Sequence, residues 1–211
     1  MFRIVIPTIR ESPEPFNYLW STMSKEARET SVIVYQNEPV DMIIVKQTGE
    51  IEVSLKQNLY EYGAWVAAKK LVDTGHIAWY DWLLMIHDSC AFQKDTFEKI
   101  RELCLTLTFT TIDFYSLVSR GFHNISLVRR HGIYKIADIF STSPSLTKEE
   151  AIKYEGVGGI IKILDEAAIS RGEYGIGTQE CGKIWFSNGE KIVVRILPIN
   201  LLKFYKAINA N

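Results

Sequence analysis

The sequence predicts an α/β fold in which a mixed central β-sheet is flanked by helices, within a single domain over residues 1–211. Short apolar runs rich in β-branched residues alternate with amphipathic helical segments through the first half of the chain, as expected for a layered α/β sheet. In the second half, two apolar runs flank the dipeptide Asn188-Gly189, which indicates an antiparallel hairpin. No internal repeat or long linker divides the chain into separate domains.

The first half is predicted to contain four strands and two helices. Pro13 opens a short helix whose apolar residues recur at helical spacing, and Gly75 ends a longer one that is rich in alanine. The run WLLMI is apolar throughout, which is typical of a strand buried on both faces. The predicted strands cover residues 2–7, 31–36, 41–46 and 82–86, and the longer helix covers 57–75.

The second half is predicted to be less regular. Thr147 and Glu150 form a capping-box pattern that begins a helical region, although three glycines interrupt it. The segment PINLLKFYKAI is predicted as an amphipathic helix that closes the chain. The predicted helices cover 94–107, 147–171 and 198–208, the strands cover 112–118 and 124–129, and RHGIYKIADIF at 130–140 fits a short helix.

Composition excludes several classes of protein. The chain has 24 Lys and Arg residues against 25 Asp and Glu residues, so it lacks the basic excess of a nucleic-acid-binding module. The apolar run after Arg3 is too short for a signal peptide, and no segment approaches the ~20 apolar residues that span a bilayer. Three widely spaced cysteines fit no disulfide framework. We therefore expect a cytoplasmic protein with no membrane span.

Polar residues follow the strand predicted at 82–86. In open α/β sheets, ligands bind beyond the carboxyl ends of the strands, near the point where the strand order reverses. His87 and Asp88 lie at such an end and offer nitrogen and carboxylate oxygen to a divalent cation, which would neutralise a diphosphate. The alternative is that Asp88 caps a helical turn and that His87 is a surface residue.

Two other predicted strand ends carry groups that suit a nucleotide. The first strand ends in Pro7, Thr8 and Arg10, and the second ends in Gln36, Asn37 and Glu38. A hydroxyl and a guanidinium can hold a nucleoside or a phosphate, whereas amide and carboxylate groups suit a base or ribose hydroxyls. The alternatives are a plain loop with Arg10 in solvent and a polar turn before Pro39.

Glu155 is a candidate general base because it lies in the run YEGVGG, where glycines let a ligand approach the backbone. The alternative is a solvated helix residue beside glycines that permit close helix packing. The chain also has 10 Tyr and 5 Trp residues, and an exposed subset of these aromatic rings could stack on a sugar ring or a base. No GxxxxGK[ST], HExxH or GxSxG string occurs, which argues against a P-loop enzyme, a zincin and an α/β-hydrolase.

Together, these strand ends resemble those of GT-A glycosyltransferases. In that family the first two strand ends cradle the nucleoside, a helix with an early Asn follows, and an apolar strand ends in an acidic DxD motif. That motif binds Mn²⁺ or Mg²⁺ against the donor diphosphate. NLYEYGAWVAA at 58–68 and WLLMIHDS at 82–89 are similar to the last two elements. The resemblance implies a GT-A-like, Rossmann-like fold, with Asn58 and His87 at the nucleotide and Asp88 at the metal.

The resemblance is closest over residues 2–95, which implies a nucleotide-binding half at about 1–95 and an acceptor-side half at about 96–211. YEGVGGIIKIL resembles the acceptor-side segment whose acidic residue acts as base in inverting members, which implies this role for Glu155, although Gly156 replaces the usual paired acid. A retaining mechanism would not need Glu155 as a base. The chain departs from the family pattern in the metal motif. Asp88 is its one acidic residue, since His87 and Ser89 replace the other aspartates.

The resemblance implies an enzyme that moves a hexose-type sugar from a UDP-sugar to a hydroxyl of a glycan or glycoprotein. In such an enzyme, Tyr62 and Trp185 are candidates for shaping the sugar pockets. The chain as a whole also resembles members that build viral capsid glycans, which implies action in a host cytoplasm. Two alternatives stay open. One is a nucleotidyltransferase that makes a sugar nucleotide, although no glycine-rich basic loop follows the strand at 2–7. The other is a non-catalytic nucleotide- or carbohydrate-binding module. The terminal KAINAN is compatible with a chain that continues into further domains.

Overall fold

A mixed eight-stranded β-sheet forms the centre of the protein, as the sequence predicts. The structure is a computed structural model that describes residues 2–11, 13–78, 80–118, 125–154, 157–173, 179–186 and 189–206. The strands are β1 (Phe2–Ile9), β2 (Ser31–Gln36), β3 (Met42–Val45), β4 (Ile51–Ser54), β5 (Trp82–Met85), β6 (Cys90–Phe92), β7 (Phe114–Ser116), β8 (Ser126–Val128), β9 (Arg171–Glu173), β10 (Gln179–Phe186), β11 (Gly189–Ile196) and β12 (Leu201–Lys206).

Helices cover both faces of this sheet. They are α1 (Glu14–Thr22), α2 (Lys25–Glu29), α3 (Tyr62–Asp73), α4 (Thr96–Thr108), α5 (Arg130–Phe140), α6 (Lys148–Tyr154) and α7 (Lys162–Glu166). One apolar core lies between the sheet and α3 with α5, where the rings of Tyr62 and Phe140 stack with centroids 4.4 Å apart. The other lies between the opposite face and α1 with α4. Within the described ranges, no helix is long and apolar enough to cross a membrane.

The order of the strands in the central sheet is β3-β4-β2-β1-β5-β8-β7-β9. β1 is apolar on both faces and nearly fully buried, which suits its place in the middle. It pairs in parallel with β2 on one side and with β5 on the other, and β4 pairs in parallel with β2. The chain therefore builds outward from β1 in one direction and then returns to the other side of β1.

A second sheet, in the order β10-β11-β12-β6, contains the predicted hairpin. The hairpin of β10 and β11 is confirmed, but the helix predicted at 198–208 is wrong. Residues 201–206 instead form β12, which pairs antiparallel with β11 on one edge and with β6 on the other. Apolar residues in so short a segment satisfy helical and strand spacing alike, and the available strand partners decide the outcome.

Other predicted boundaries differ from the structure. The short strands β4 and β6 were not predicted, and the helix predicted over 147–171 is divided. Its capping box at Thr147 is confirmed, since the Oγ1 of Thr147 accepts from the N–H of Glu150 over 3.2 Å and a Glu150 carboxylate oxygen accepts from the N–H of Thr147 over 2.7 Å. The first helix ends at Tyr154, and the next α-helix begins at Lys162.

The helix predicted from residue 57 begins at Tyr62, because Gln36 holds the preceding residues in a loop. Gln36 is 3% exposed. Its Nε2 donates to the carbonyl of Tyr60 over 2.7 Å, and its Oε1 accepts from the N–H of Leu59 over 2.7 Å. A Cβ at Gly63 would lie 2.4 Å from that Oε1, so glycine is needed where the helix passes this amide.

Gln36→Leu is expected to lower the free energy of unfolding by roughly 2–4 kcal/mol, because it leaves a backbone donor and a backbone acceptor without partners in the protein interior. Chemical denaturation measures the change. The matched control is Gln47→Leu, because Gln47 is exposed in a turn. Equal stability of the two variants would show that the Gln36 amide does not hold this loop.

Candidate functional site

The carboxyl ends of β1 and β5 meet where the strand order reverses. A ligand crevice is expected outside the strands at such a point. Thr8, near the end of β1, is 4% exposed, and its Oγ1 donates to Oδ2 of Asp88 over 3.1 Å. The structure thereby brings together two candidate residues that lie 80 positions apart in the sequence.

Pro7 lies where β1 and β5 stop pairing. The register between the two strands ends at the pair Val5–Met85, and the N–H of Ile86 donates to the carbonyl of Val5 over 3.1 Å. Because proline has no N–H, Pro7 cannot extend this ladder. It keeps its place opposite Val34 of β2 on the other side. The segment after β5 is therefore free to leave the sheet and turn.

Asp88 lies half-buried in that turn. Burial raises the pKa of its carboxyl group above the usual value, while the hydrogen bond from Thr8 and the charge of Lys203 act in the opposite direction. Asp88 caps no helix, because the turn leads directly into β6. A desolvated carboxylate with a specific charged neighbour at a strand end is typical of a ligand-binding site.

His87, beside it, is neutral near pH 7. Burial lowers its pKa well below the usual value, and Lys203 lowers it further. Its Nε2 is buried and has no hydrogen-bond partner in the part of the chain that the structure describes. The neutral imidazole is the form that accepts a hydrogen bond or binds a metal, so His87 is chemically suited to either role.

A lysine that the sequence analysis did not single out lies against these residues. Lys203 of β12 is 5% exposed, and its Nζ donates to Oγ of Ser89 over 2.6 Å. Burial is the main cause of the shifted pKa values of His87, Asp88 and Cys90, and the charge of Lys203 lowers all three. The position of Lys203 between apolar residues could have indicated a buried, functional lysine. The segment was predicted as an amphipathic helix, in which a lysine is expected to face solvent.

Arg10 and Glu38 form the rim of the site at the ends of β1 and β2. Arg10 Nε lies 2.9 Å from Oε1 of Glu38, and its guanidinium lies 3.7 Å from the centroid of the Tyr35 ring. Arg10 is therefore held in place, although half of its side chain is exposed. A guanidinium stacked on an aromatic ring offers N–H donors and a flat face to a ligand.

Gln36, Asn37 and Asn58 support the loops beside this rim. The amide of Gln36 is engaged by the loop before α3, as described above. Asn37 is exposed and has a φ of 62°, a left-handed conformation that asparagine tolerates where β2 ends. Asn58 accepts from Leu146 through its carbonyl over 2.8 Å, and its N–H donates to Oγ of Ser145 over 2.9 Å. Asn58 thus joins this loop to the segment before α6.

The remaining candidates are Glu155, Tyr62 and Trp185. Glu155 lies outside the described residues. The expectation that Tyr62 shapes a sugar pocket is wrong, because the side chain is 1% exposed and packs in the core against Phe140. Trp185 lies in β10.

The groups at Asp88 suit a divalent cation that is shared with a ligand. Among the described residues, no group of three or more His, Cys, Asp or Glu side chains is placed to hold a metal. Mg²⁺ is commonly held by one or two carboxylates, with substrate phosphates and waters completing its shell. Asp88 meets that minimum, and the neutral imidazole of His87 is adjacent to it in sequence.

Comparison with solved structures identifies the fold. A glycosyltransferase involved in the glycosylation of the major capsid of PBCV-1 superposes with a TM-score of 0.51, at 8% sequence identity, over 82% of this chain and 81% of that chain. The fold is GT-A-like. At this identity, the likeness concerns the GT-A-like fold alone.

A cytidylyltransferase from Leptospira borgpetersenii serovar Hardjo-bovis (strain JB197) superposes with a TM-score of 0.49, at 14% identity, over 83% of this chain and 76% of that chain. No protein-family model and no curated protein matches the sequence. The GT-A-like fold confirms the predicted α/β class and places the Thr8–Asp88 hydrogen bond at its strand-order reversal.

Asp88→Asn is expected to raise the stability of the ligand-free protein at pH 7. Because the pKa of Asp88 is raised in the fold, its charged form is destabilising above that pKa, and this penalty disappears as the pH falls below the usual value near 3.8. Unfolding in EDTA at pH 7 and at pH 4 measures the difference, which should shrink at the lower pH.

Asp73→Asn is the matched control, because the pKa of Asp73 is lowered by its hydrogen bond from Tyr134 and by Lys69. Its charge is stabilising above the usual pKa, so this variant should lose stability at pH 7. A loss of stability in Asp88→Asn as well would contradict the inferred desolvation of Asp88.

Proposed function

We propose that this protein is a glycosyltransferase that moves a hexose-type sugar from a UDP-sugar to a hydroxyl group of a glycan or glycoprotein. The observation that carries this proposal is the hydrogen bond between Thr8 and Asp88 at the strand-order reversal of a GT-A-like fold. It holds a desolvated carboxylate where nucleotide ligands bind in open α/β sheets. The resemblance of the strand ends to GT-A enzymes supports the same reaction.

In this proposal the donor lies across the carboxyl ends of β1, β2 and β5. Arg10 and Glu38, already fixed by their ion pair, face the nucleoside. Asn37 and His87 offer hydrogen-bonding groups to the donor. Pro7, Gln36 and Asn58 keep the surrounding strand ends and loops in position through the contacts described above.

Asp88 is the residue that would hold Mn²⁺ or Mg²⁺. When bound, such an ion acts as a Lewis acid that offsets the negative charge developing on the departing diphosphate. Thr8 fixes the carboxylate for this task because its hydroxyl occupies one Asp88 oxygen. Four lone-pair sites are available on a carboxylate, so this bond leaves capacity for a cation.

Glu155 would act as the general base of an inverting reaction. It takes the proton of the acceptor hydroxyl while the new bond to the anomeric carbon forms and the bond from that carbon to the diphosphate oxygen breaks. The support is the resemblance of YEGVGGIIKIL to the acceptor-side segment of GT-A enzymes. The acceptor-side half, at about 96–211, would supply the glycan-binding surface.

UDP and Mn²⁺ together are expected to raise the melting temperature, because a ligand that binds the native state adds about 2.7 kcal/mol at a concentration 100 times its Kd. Differential scanning calorimetry of the protein with UDP, with Mn²⁺, with both and with neither measures the melting temperature.

Activity assays distinguish the proposed reaction from its alternatives. A UDP-sugar is tested for sugar transfer, and CTP with a sugar phosphate is tested for release of pyrophosphate. Release of pyrophosphate from CTP would instead identify a nucleotidyltransferase. UDP binding without transfer or donor hydrolysis would identify a binding module.

Glu155→Gln is expected to lower kcat by about 10²–10⁴-fold with unchanged UDP affinity, because it removes the proton acceptor and leaves the donor site intact. Steady-state transfer assays and UDP titration measure the two quantities. The matched control is Glu149→Gln, an exposed residue of α6. Full turnover in Glu155→Gln would reject the base role.

A further inference from the structure

The backbone of β12 is joined directly to the turn that carries Asp88. Lys203 is paired with Cys90 in the antiparallel register of β12 and β6. The N–H of Phe204 donates to the carbonyl of Ser89 over 2.9 Å, which extends this pairing back to the residue after Asp88. The ammonium group of Lys203 and the carboxylate of Asp88 are therefore presented by two backbone segments that cannot move independently.

Asn200 anchors the start of β12. It has a φ of 51°, its carbonyl accepts from Oγ1 of Thr96 over 2.7 Å, and its Oδ1 accepts from Nε of Arg195 over 2.7 Å. Thr96 is the first residue of α4, so β12 is held against the start of that helix as well as against β6. The backbone of Lys203 is thus fixed by two neighbouring elements, β6 and α4.

Lys203 brings a buried positive charge to the turn that carries Asp88. Burial of an ammonium group is costly, and it is normally offset by a nearby negative charge. Asp88 supplies one such charge, yet a divalent cation bound to Asp88 would compete with Lys203 for it. A diphosphate, which carries at least two negative charges, satisfies the lysine and the cation together.

We propose that Lys203, oriented by Ser89, is the protein's own cation for the diphosphate of the donor, and that it acts beside the ion held by Asp88. This inference rests on the proposed function and adds a residue and a charge to it. It implies that UDP binds without metal, that Mn²⁺ strengthens this binding, and that Mn²⁺ alone binds weakly because the ammonium repels it.

Lys203→Met tests the proposal, since methionine keeps an unbranched apolar stem and removes the charge. Isothermal titration calorimetry measures UDP and uridine binding in EDTA, and UDP binding again with Mn²⁺. We expect UDP affinity in EDTA to fall by about 10- to 100-fold, as for loss of one hydrogen bond to a charged group, with uridine affinity unchanged. Lys25→Met is the control, because it removes an exposed charge from α2.

Unchanged UDP affinity in a folded Lys203→Met variant overturns the inference, while UDP binding by the wild type leaves the proposed function standing. A wild type that binds no UDP in either condition overturns both. If Lys203→Met does not fold, Ser89→Ala carries the test, because it removes the hydroxyl that orients the ammonium and leaves the lysine in place. We expect it to weaken UDP binding several-fold, and wild-type affinity would reject the role of this pair.

Discussion

A carboxylate held partly out of water at the junction of two buried strands is the constraint on which the site depends. Asp88 bears a desolvation penalty that raises its pKa, and the fold offsets it with a hydroxyl from Thr8 and the positive charge of Lys203. An uncharged residue would fill the same turn at lower cost in free energy. A charged residue is expected at such a position when a bound ligand or cation interacts with its charge. The residue then serves function and lowers the stability of the free protein.

Three distant parts of the chain converge on this carboxylate. Residue 8 comes from the central strand of the large sheet, residue 88 from the turn after its parallel neighbour, and residue 203 from the second sheet. The turn between β5 and β6 joins the two sheets, and the pairing of β12 with β6 brings Lys203 to that turn. β12, near the end of the described chain, therefore contributes Lys203 to a site whose Thr8 and Asp88 lie in the first half of the sequence.

The parts of the fold that could be predicted from the sequence are segments whose residue pattern is compatible with a single structure. β1, β2 and β5 are apolar on both faces and are placed correctly because such runs must be buried. Thr8 and Asp88 could be predicted as site residues because ligands bind beyond the carboxyl ends of parallel strands, which depends only on the topology of the sheet. The sequence did not reveal that the Gln36 amide forms hydrogen bonds with the backbone of residues 59 and 60. These backbone groups need a protein partner only because the folded structure buries the loop. Lys203 was missed because the spacing of its apolar neighbours suits a helix as well as a strand, and only pairing with β6 and β11 selects the strand.

We expect the diphosphate of a donor to bind at the carboxyl ends of β1 and β5, between Asp88 and Lys203. A crystal structure of the protein with UDP and Mn²⁺, with anomalous data collected at the manganese edge, tests it most directly. The expected result is a manganese peak at coordination distance from an Asp88 carboxylate oxygen, with a phosphate oxygen within hydrogen-bonding distance of the Lys203 ammonium. Manganese and diphosphate bound together at another position on the protein would contradict it.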